Sequence, residues 1–184
     1  MERKEAWDLL KKYLKNHNLL KHCIACEVIM QFLARHWGKD EEEWALAGLL
    51  HDIDYEETKD KPTEHGRKGA KILKEAGLPE EVIRAVEAHN PLATGVEPES
   101  PIEKSLYAVD PVSGFIVACA LVHPDKKLDS LDLSFLLHRF SEKSFARGAN
   151  REAMKSIESL GLSLEEFLNI ALSAMQTKKE ELGL

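Results

Sequence analysis

Apolar residues recur at helical spacing along nearly the whole chain, and no stretch alternates with the two-residue period of a half-buried strand. Residues 3–15 predict a first helix with Trp7, Leu10 and Leu14 on one face. Residues 19–37 predict a second, in which His22, Cys26, Ile29 and Leu33 fall at i, i+4, i+7 and i+11, so that His22 points inward with the core. Asp40 with Glu43 reads as a capping box opening a third helix that runs to about Asp54. Thr63 is placed to cap a fourth through about Glu75, ended by Gly77, and Pro79 suits the first turn of a fifth that reaches His89. Val82, Val86 and His89 share a face, so His89 also looks inward. Residues 90–101, with three prolines and a glycine, read as loop. A long helix over about 102–122 follows, with a kink expected at Pro111, directly after Asp110. Polar loop fills 123–132. Helices are predicted over 133–141, over 143–160 closed by Gly161, and over 163–178 opened by a Ser163–Glu166 capping box. The pattern predicts an all-α bundle of about eight helices. It forms one domain over 1–184, with a core of about 20–120 on which C-terminal helices over 131–178 pack.

Composition narrows the function classes. A chain of 184 residues with 43% hydrophobic and 31% charged residues supports one folded domain with a well-solvated surface. The net charge of −7, with no block of lysines or arginines, argues against general nucleic-acid binding. Small phosphorylated substrates stay open, because an acidic protein can carry a locally positive pocket. The N-terminal segment is charged and amphipathic rather than signal-like, and no uncharged apolar stretch approaches the roughly 20 residues that cross a bilayer. A cytoplasmic protein without membrane association is expected, and its oligomeric state is open. Cys23 and Cys26 form a C-x-x-C with no second such pair and no βαβ surroundings, so they, like Cys119, are assigned to the core.

The chemistry concentrates in His22, His51, Asp52, His65, His89 and Asp110. Carboxylates are almost never buried unless paired or metal-bound, yet Asp52 follows LAGLLH and Asp110 follows SLYAV on core-facing segments. Imidazole and carboxylate together suit Fe, Mn, Zn, Ni or Co, and a set of about six can hold two divalent ions. Each outer histidine also has a plain structural role open to it. His22 can be a satisfied core imidazole, His65 an exposed residue near a helix start, and His89 an imidazolium at a helix end. His17, His36, His123 and His138 are expected at the surface. Candidate substrate-binding cations are Arg67 and Lys68, just past His65, and Lys143, Arg147 and Arg151. The last three recur at i, i+4 and i+8 and either line one helix face toward the pocket or form a solvated stripe.

The segments KHCIACEVI, LLHDID, EHGRKGAKIL, EAHN and LYAVDPVSGFIVA, over about residues 20–120, resemble the HD-domain superfamily of metal-dependent phosphohydrolases. The order H…HD…H…H…D is similar to its two-metal, HDIG-like branch, and EKSFARGANRE is similar to a group of small predicted hydrolases within it. The resemblance implies a helical HD fold, with His22, His51, Asp52 and Asp110 around a first ion. Asp52 would bridge to a second ion completed by His65 and His89. It also implies hydrolysis of a small phosphoester, a nucleotide or related metabolite, by metal-activated hydroxide, with His51 and Asp52 catalytic and Asp52 positioning the nucleophile. The chain departs from the HDIG pattern. Asp54 and Tyr55 stand where that signature has glycine and then lysine, and Asn90 replaces the second half of a double histidine. Without a GYP triplet, cyclic-di-GMP hydrolysis is disfavoured. Asp54 and Glu56 only loosely resemble guanosine tetra- and pentaphosphate hydrolases, and the residues after Asp110 fit dinucleoside polyphosphate cleavage poorly. The alternatives are an HD-type di-iron oxygenase and a non-catalytic nucleotide or metabolite sensor. The loop 90–101 is expected to border the pocket.

Overall fold

The helical period is realised throughout a computed structural model that describes all 184 residues. The helices in chain order are α1 (Arg3–Tyr13), α2 (His17–His36), α3 (Glu41–Leu50), α4 (Tyr55–Thr58), α5 (Arg67–Glu75) and α6 (Glu80–Ala88). They continue as α7 (Pro91–Thr94), α8 (Pro101–Val122), α9 (Leu133–Ser141), α10 (Arg151–Lys155), α11 (Leu164–Gln176) and α12 (Lys179–Leu182). Eight of the twelve are nine residues or longer, and there is no strand. The four short ones fall below the length at which apolar period can mark a helix.

Local chemistry starts several of these helices. Asn16 accepts from the backbone N–H groups of Asn18 and Leu19 to open α2, and Asp40 accepts from Glu43 N at 2.9 Å to open α3. Ser163 and Glu166 cap α11 reciprocally. Glu56 accepts from Lys15 N (2.7 Å) and Asn16 N (2.9 Å), which ties the α1–α2 link to α4.

Helix α8 is the centre of the bundle and packs against α2, α3, α6, α9, α10 and α11. By length and composition it is the one helix that could cross a membrane. Here it is a core helix: Leu106, Val109, Val112, Phe115, Ile116 and Cys119 are fully buried. One apolar cluster of 50 residues runs from Ala6 to Leu182, so the C-terminal helices share the core of the rest. Helices α2 and α3 make the closest approach. A Cβ on Gly48 would stand 2.6 Å from the Cys26 carbonyl oxygen, so only glycine permits this contact. The three cysteines are free and buried.

Four sequence expectations need correction. Residues 90–101 are not loop throughout, because Pro91–Thr94 close one helical turn, α7, that ends at Gly95 in the left-handed region. The third helix ends at Leu50, not near Asp54, because Ile53 N bonds to Leu50 O and Tyr55 N to Asp52 O, closing successive turns. Thr63 does not cap a helix. Pro62–Glu64 is an isolated 3-10 turn, and α5 begins behind Gly66, whose φ of +90° reverses the chain. The helix predicted over 143–160 exists only as α10 and a 3-10 turn at Ser156–Leu160. Residues 142–150 are turns because the Arg151 guanidinium takes up carbonyls that a helix would have paired internally. It donates to Phe145 O (2.8 Å), Ala149 O (2.9 Å) and Ala146 O (3.1 Å) while lying over the rings of Phe115 and Phe140. Lys143, Arg147 and Arg151 therefore share no helix face. Helix α8 itself continues through Pro111.

Candidate metal centre

Five separate pieces of backbone bring the six side chains together. His22 comes from α2, His51 and Asp52 from the end of α3 and the turn after it, and His65 from the link between the 3-10 turn and α5. His89 comes from the end of α6 and Asp110 from the middle of α8. His22 Nε2 lies 3.2 Å from Asp110 Oδ1, 3.5 Å from Asp52 Oδ2 and 3.1 Å from His51 Nε2. On the other side, Asp52 Oδ1 lies 3.3 Å from His65 Nε2 and 3.7 Å from His89 Nε2, which are 3.1 Å from each other. The Asp52 carboxylate thus turns Oδ2 toward His22 and Oδ1 toward His65 and His89, with His51 Nε2 also 3.5 Å from Oδ1. Asp52 lies in the turn that follows α3 and not on the helix itself.

A second layer of hydrogen bonds aims every imidazole. His51 Nδ1 donates to Gly48 O at 2.8 Å and His89 Nδ1 to Val86 O. The hydroxyl of Ser113 donates to Asp110 O at 3.0 Å, so it accepts from His22 Nδ1 at 2.9 Å. His65 Nδ1 donates to Asp54 Oδ1 at 2.8 Å. With each Nδ1 carrying the hydrogen, each Nε2 presents its lone pair to the centre. A proton on Nε2 of His22 or His65 bridges each 3.1 Å gap, and an ion that displaces it meets nitrogens already aimed at one point. Donor atoms around an ion at roughly 2.0–2.1 Å stand about 3.0–3.4 Å apart, which matches the shortest spacings here. The donor set therefore fits divalent transition metals. Cys26 lies close by, but its Sγ is 3.9 Å from His22 Nε2, farther than either carboxylate, and it bonds to Ser113.

Electrostatics favour the same reading. Burial works against charge on Asp52, yet His51, His65, His22 and His89 outweigh it and hold the carboxyl well below the usual carboxylate range. Asp110 is also held low, because its hydrogen bond to His22 overcomes burial. Burial alone would lower His65, but Asp52 and Asp54 together carry it up to about 10. Burial and the charge of His51 pull His89 down to about 4. Burial works against charge on His22, yet Cys26, Asp110 and Asp52 raise it well above the usual imidazole range. A metal ion thus meets two ionised carboxylates and a neutral His89, and displaces protons at both His22 and His65.

Sequence reasoning missed the part played by Asp54, noted as a departure from the HDIG pattern and a loose likeness to guanosine tetra- and pentaphosphate hydrolases. It is fully buried, and besides His65 it accepts from Gly66 N (2.9 Å) and Gly69 N (2.7 Å), fastening the start of α5 to the centre. The readable signal was a third acidic side chain in an apolar run, at HDID. An Asp54→Asn variant keeps the shape but removes the charge that orients His65. We expect metal affinity on the His65–His89 side to fall by roughly 10–100-fold, as for other outer-layer partners of ligating histidines. Metal titration checks this, with the His65 tautomer read by nitrogen NMR.

The centre is most exposed at Asp110 and His22. His51 is fully buried, whereas the side chains of Asp110 and His22 are 38% and 21% exposed. Two cavities meet there on either side of Asp110 and Gly148. One, of about 330 Å³, is lined by His22, Asp110, Pro111, Gly114, Ala146 and Gly148 among others. The other, of about 210 Å³, reaches His89 past Asn90, Leu92 and Tyr107. Neither wall contains a lysine or arginine. Of the five candidate cations, Arg67 donates to Thr94 O, Lys68 pairs with Glu57, and Arg151 is committed to the 140–149 carbonyls. Lys143 and Arg147 are exposed on the turns. His17, His36 and His138 are also exposed, and His123 is half-buried.

The HD domain family model matches residues 19–113. A protein of Methanocaldococcus jannaschii described as uncharacterised is 28% identical over 165 residues, 85% of this chain and 93% of that protein. Ribonuclease Y of Oleidesulfovibrio alaskensis is 31% identical over 99 residues, which cover 54% of this chain but 18% of the ribonuclease. A tRNA (cytidine(56)-2'-O)-methyltransferase of Thermoplasma volcanium is 28% identical over 152 residues, 79% of this chain and 43% of that enzyme. The chain thus spans nearly all of the archaeal protein but less than half of the two enzymes. The matched segment is more than half of the chain and contains all six converging side chains. The chain belongs to the HD-domain family, a superfamily of metal-dependent phosphohydrolases.

Proposed function

We propose that this protein hydrolyses a small phosphate ester, of the nucleotide or related metabolite class, at a centre of two divalent ions. The observation that carries the reading is the Asp52 carboxylate, which lies between His22 on one oxygen and His65 with His89 on the other. In this reading His22, His51, Asp52 and Asp110 hold one ion, and Asp52, His65 and His89 hold its neighbour. Ions held there supply activation of water near neutral pH and neutralisation of charge on the phosphoryl oxygens. The chain supplies the rest. Burial of His51 and His89 keeps bulk water from the inner side, which strengthens every interaction with the reacting group. Asp52 orients the nucleophile, and the fixed histidine tautomers hold the donor atoms in place before substrate arrives. Substrate enters past Asp110 and His22, along the wall formed by residues 146–149.

The partial likeness to Ribonuclease Y raises RNA as a substrate. The net charge of −7 and walls free of lysine and arginine favour a small ester instead. The test uses protein purified without oxygen, supplied with Mn, Co, Zn or Fe(II), and offered phosphomonoesters, phosphodiesters, nucleotides and a short RNA. The expected result is close to two ions per chain and ester cleavage with Mn or Co in the absence of oxygen. Turnover confined to iron with oxygen consumed would replace this reading with an oxygenase. Tight nucleotide binding with no product would make the protein a sensor.

A further inference from the structure

The smaller of the two cavities is lined by larger side chains than the one beside it, which opens on His22. It shares Asp110 and Pro111 with that cavity and touches His89 at its floor, so a group seated in it lies directly against the centre. Its walls are uncharged apart from those centre residues: Asn90, Pro91, Leu92, Tyr107 and Asn150. Tyr107 and Pro111 line it together with the two asparagines, of which Asn90 donates from Nδ2 to His65 O at 3.5 Å. The Asn150 carbonyl oxygen is already occupied by Glu152 N and Ala153 N, which leaves its amide N–H groups for a ligand. Leu92 stands at the mouth on α7 and is 99% exposed, an apolar side chain with no packing partner of its own. A single exposed leucine needs no explanation elsewhere, but here it borders the route to the centre. Arg151 ties together the carbonyls of Phe145, Ala146 and Ala149, which fixes the segment that carries Gly148, a residue shared by both cavities.

We infer that this crevice seats the organic group of the ester: an uncharged group with a flat apolar face and a hydrogen-bonding edge, not a further phosphate. Tyr107 and Leu92 contact its face, and Asn90 and Asn150 contact its edge. A second or third phosphate would enter a site with no lysine or arginine to meet it, so each added phosphate lowers affinity. The site thereby selects esters that carry a single phosphate. This inference rests on the phosphoester reading of the centre and extends it to the choice of substrate.

The experiment measures binding and turnover separately on the zinc- or manganese-loaded protein. Calorimetry follows phenyl phosphate, the four common nucleoside monophosphates, one matching triphosphate and inorganic phosphate. The expected result is that at least one organic monophosphate binds more tightly than both inorganic phosphate and the triphosphate. Tyr107→Ala and Leu92→Ala should each weaken it about tenfold, Tyr107→Phe should retain most of the affinity, and inorganic phosphate binding should stay unchanged. Where turnover is measurable, the alanine variants raise KM and leave kcat within about twofold, the pattern of lost uniform binding. Equal affinity of wild type and both alanine variants for every organic ester would overturn the inference, as would tighter binding of the triphosphate. Because binding is read without turnover, a protein that hydrolyses nothing fails the phosphoester proposal while still deciding this one.

Discussion

Asp52→Ala is expected to empty both halves of the centre and bring ester turnover to background. Removing one fixed electrostatic contact from an active site typically lowers kcat by about 10²–10³-fold. Asp52 makes four such contacts at once: to His22 and His51 at 3.5 Å, to His65 at 3.3 Å and to His89 at 3.7 Å. Its loss leaves four imidazoles and a single carboxylate, Asp110, around a buried space, and that set cannot neutralise two divalent ions. The effect on turnover should therefore exceed the single-contact range. Asp52→Asn keeps the volume and tests whether charge or shape matters. It too should lose metal, since an amide oxygen is neutral. Elemental analysis gives the ion count, and circular dichroism shows whether the helices remain. An Asp52→Ala protein that is folded, holds two ions per chain and still cleaves ester would sink the shared-carboxylate reading.

Gly48→Ala is expected to be the most damaging single-methyl change in the chain. The added carbon would meet the Cys26 carbonyl oxygen at 2.6 Å, the Cys26 carbonyl carbon at 2.7 Å and Glu27 N at 2.8 Å. All three are backbone atoms in the middle of α2, so no side chain can rotate away, and α2 and α3 must separate. Overpacking of this kind costs about 3 kcal/mol or more, which for a chain of this size lowers Tm by roughly 6–12 °C. The same shift reaches the centre, because the Gly48 carbonyl orients His51 at 2.8 Å and α2 carries His22. Metal affinity should fall together with stability. Gly114, also within a helix, provides the comparison: nothing lies within 4 Å of its added Cβ, so alanine there should be tolerated or mildly stabilising. Thermal melts of the two variants check the contrast. An unchanged Tm for Gly48→Ala would mean that α2 and α3 are not in this contact in solution.

Much of the architecture was legible because it rests on local rules. The apolar period placed α1, α2, α8, α9 and α11 to within a few residues, and the predicted caps at Asp40 and Ser163 follow from side chains bonding to their own neighbours. The predicted helix over 143–160 failed for the opposite reason. Its residues have helical spacing, but Arg151 finds better partners in carbonyls five and six residues away and in two phenylalanine faces from α8 and α9. A period cannot reveal that competition, because it depends on where Phe115 and Phe140 lie in space. The basic residues at 143, 147 and 151 lost their shared face with it.

The candidate centre divides along the same line. Residue type and apolar context alone single out His51, Asp52 and Asp110, since a carboxylate in a buried run needs a partner of opposite charge or a metal. Whether His22, His65 and His89 join them is a question of distance between segments up to 88 residues apart in the chain, such as His22 and Asp110. Tertiary structure decides it through two backbone events, the turn that ends α3 at Leu50 and the reversal at Gly66 with its φ of +90°. Only the folded chain also shows that Asp54 orients His65 and that the walls around Asp110 carry no cation. Sequence by itself determined the helical class and the chemical kind of the donors, because both are properties of single residues and their near neighbours. The convergence of those donors, and the uncharged crevice beside them, were decided by packing, which no local pattern encodes.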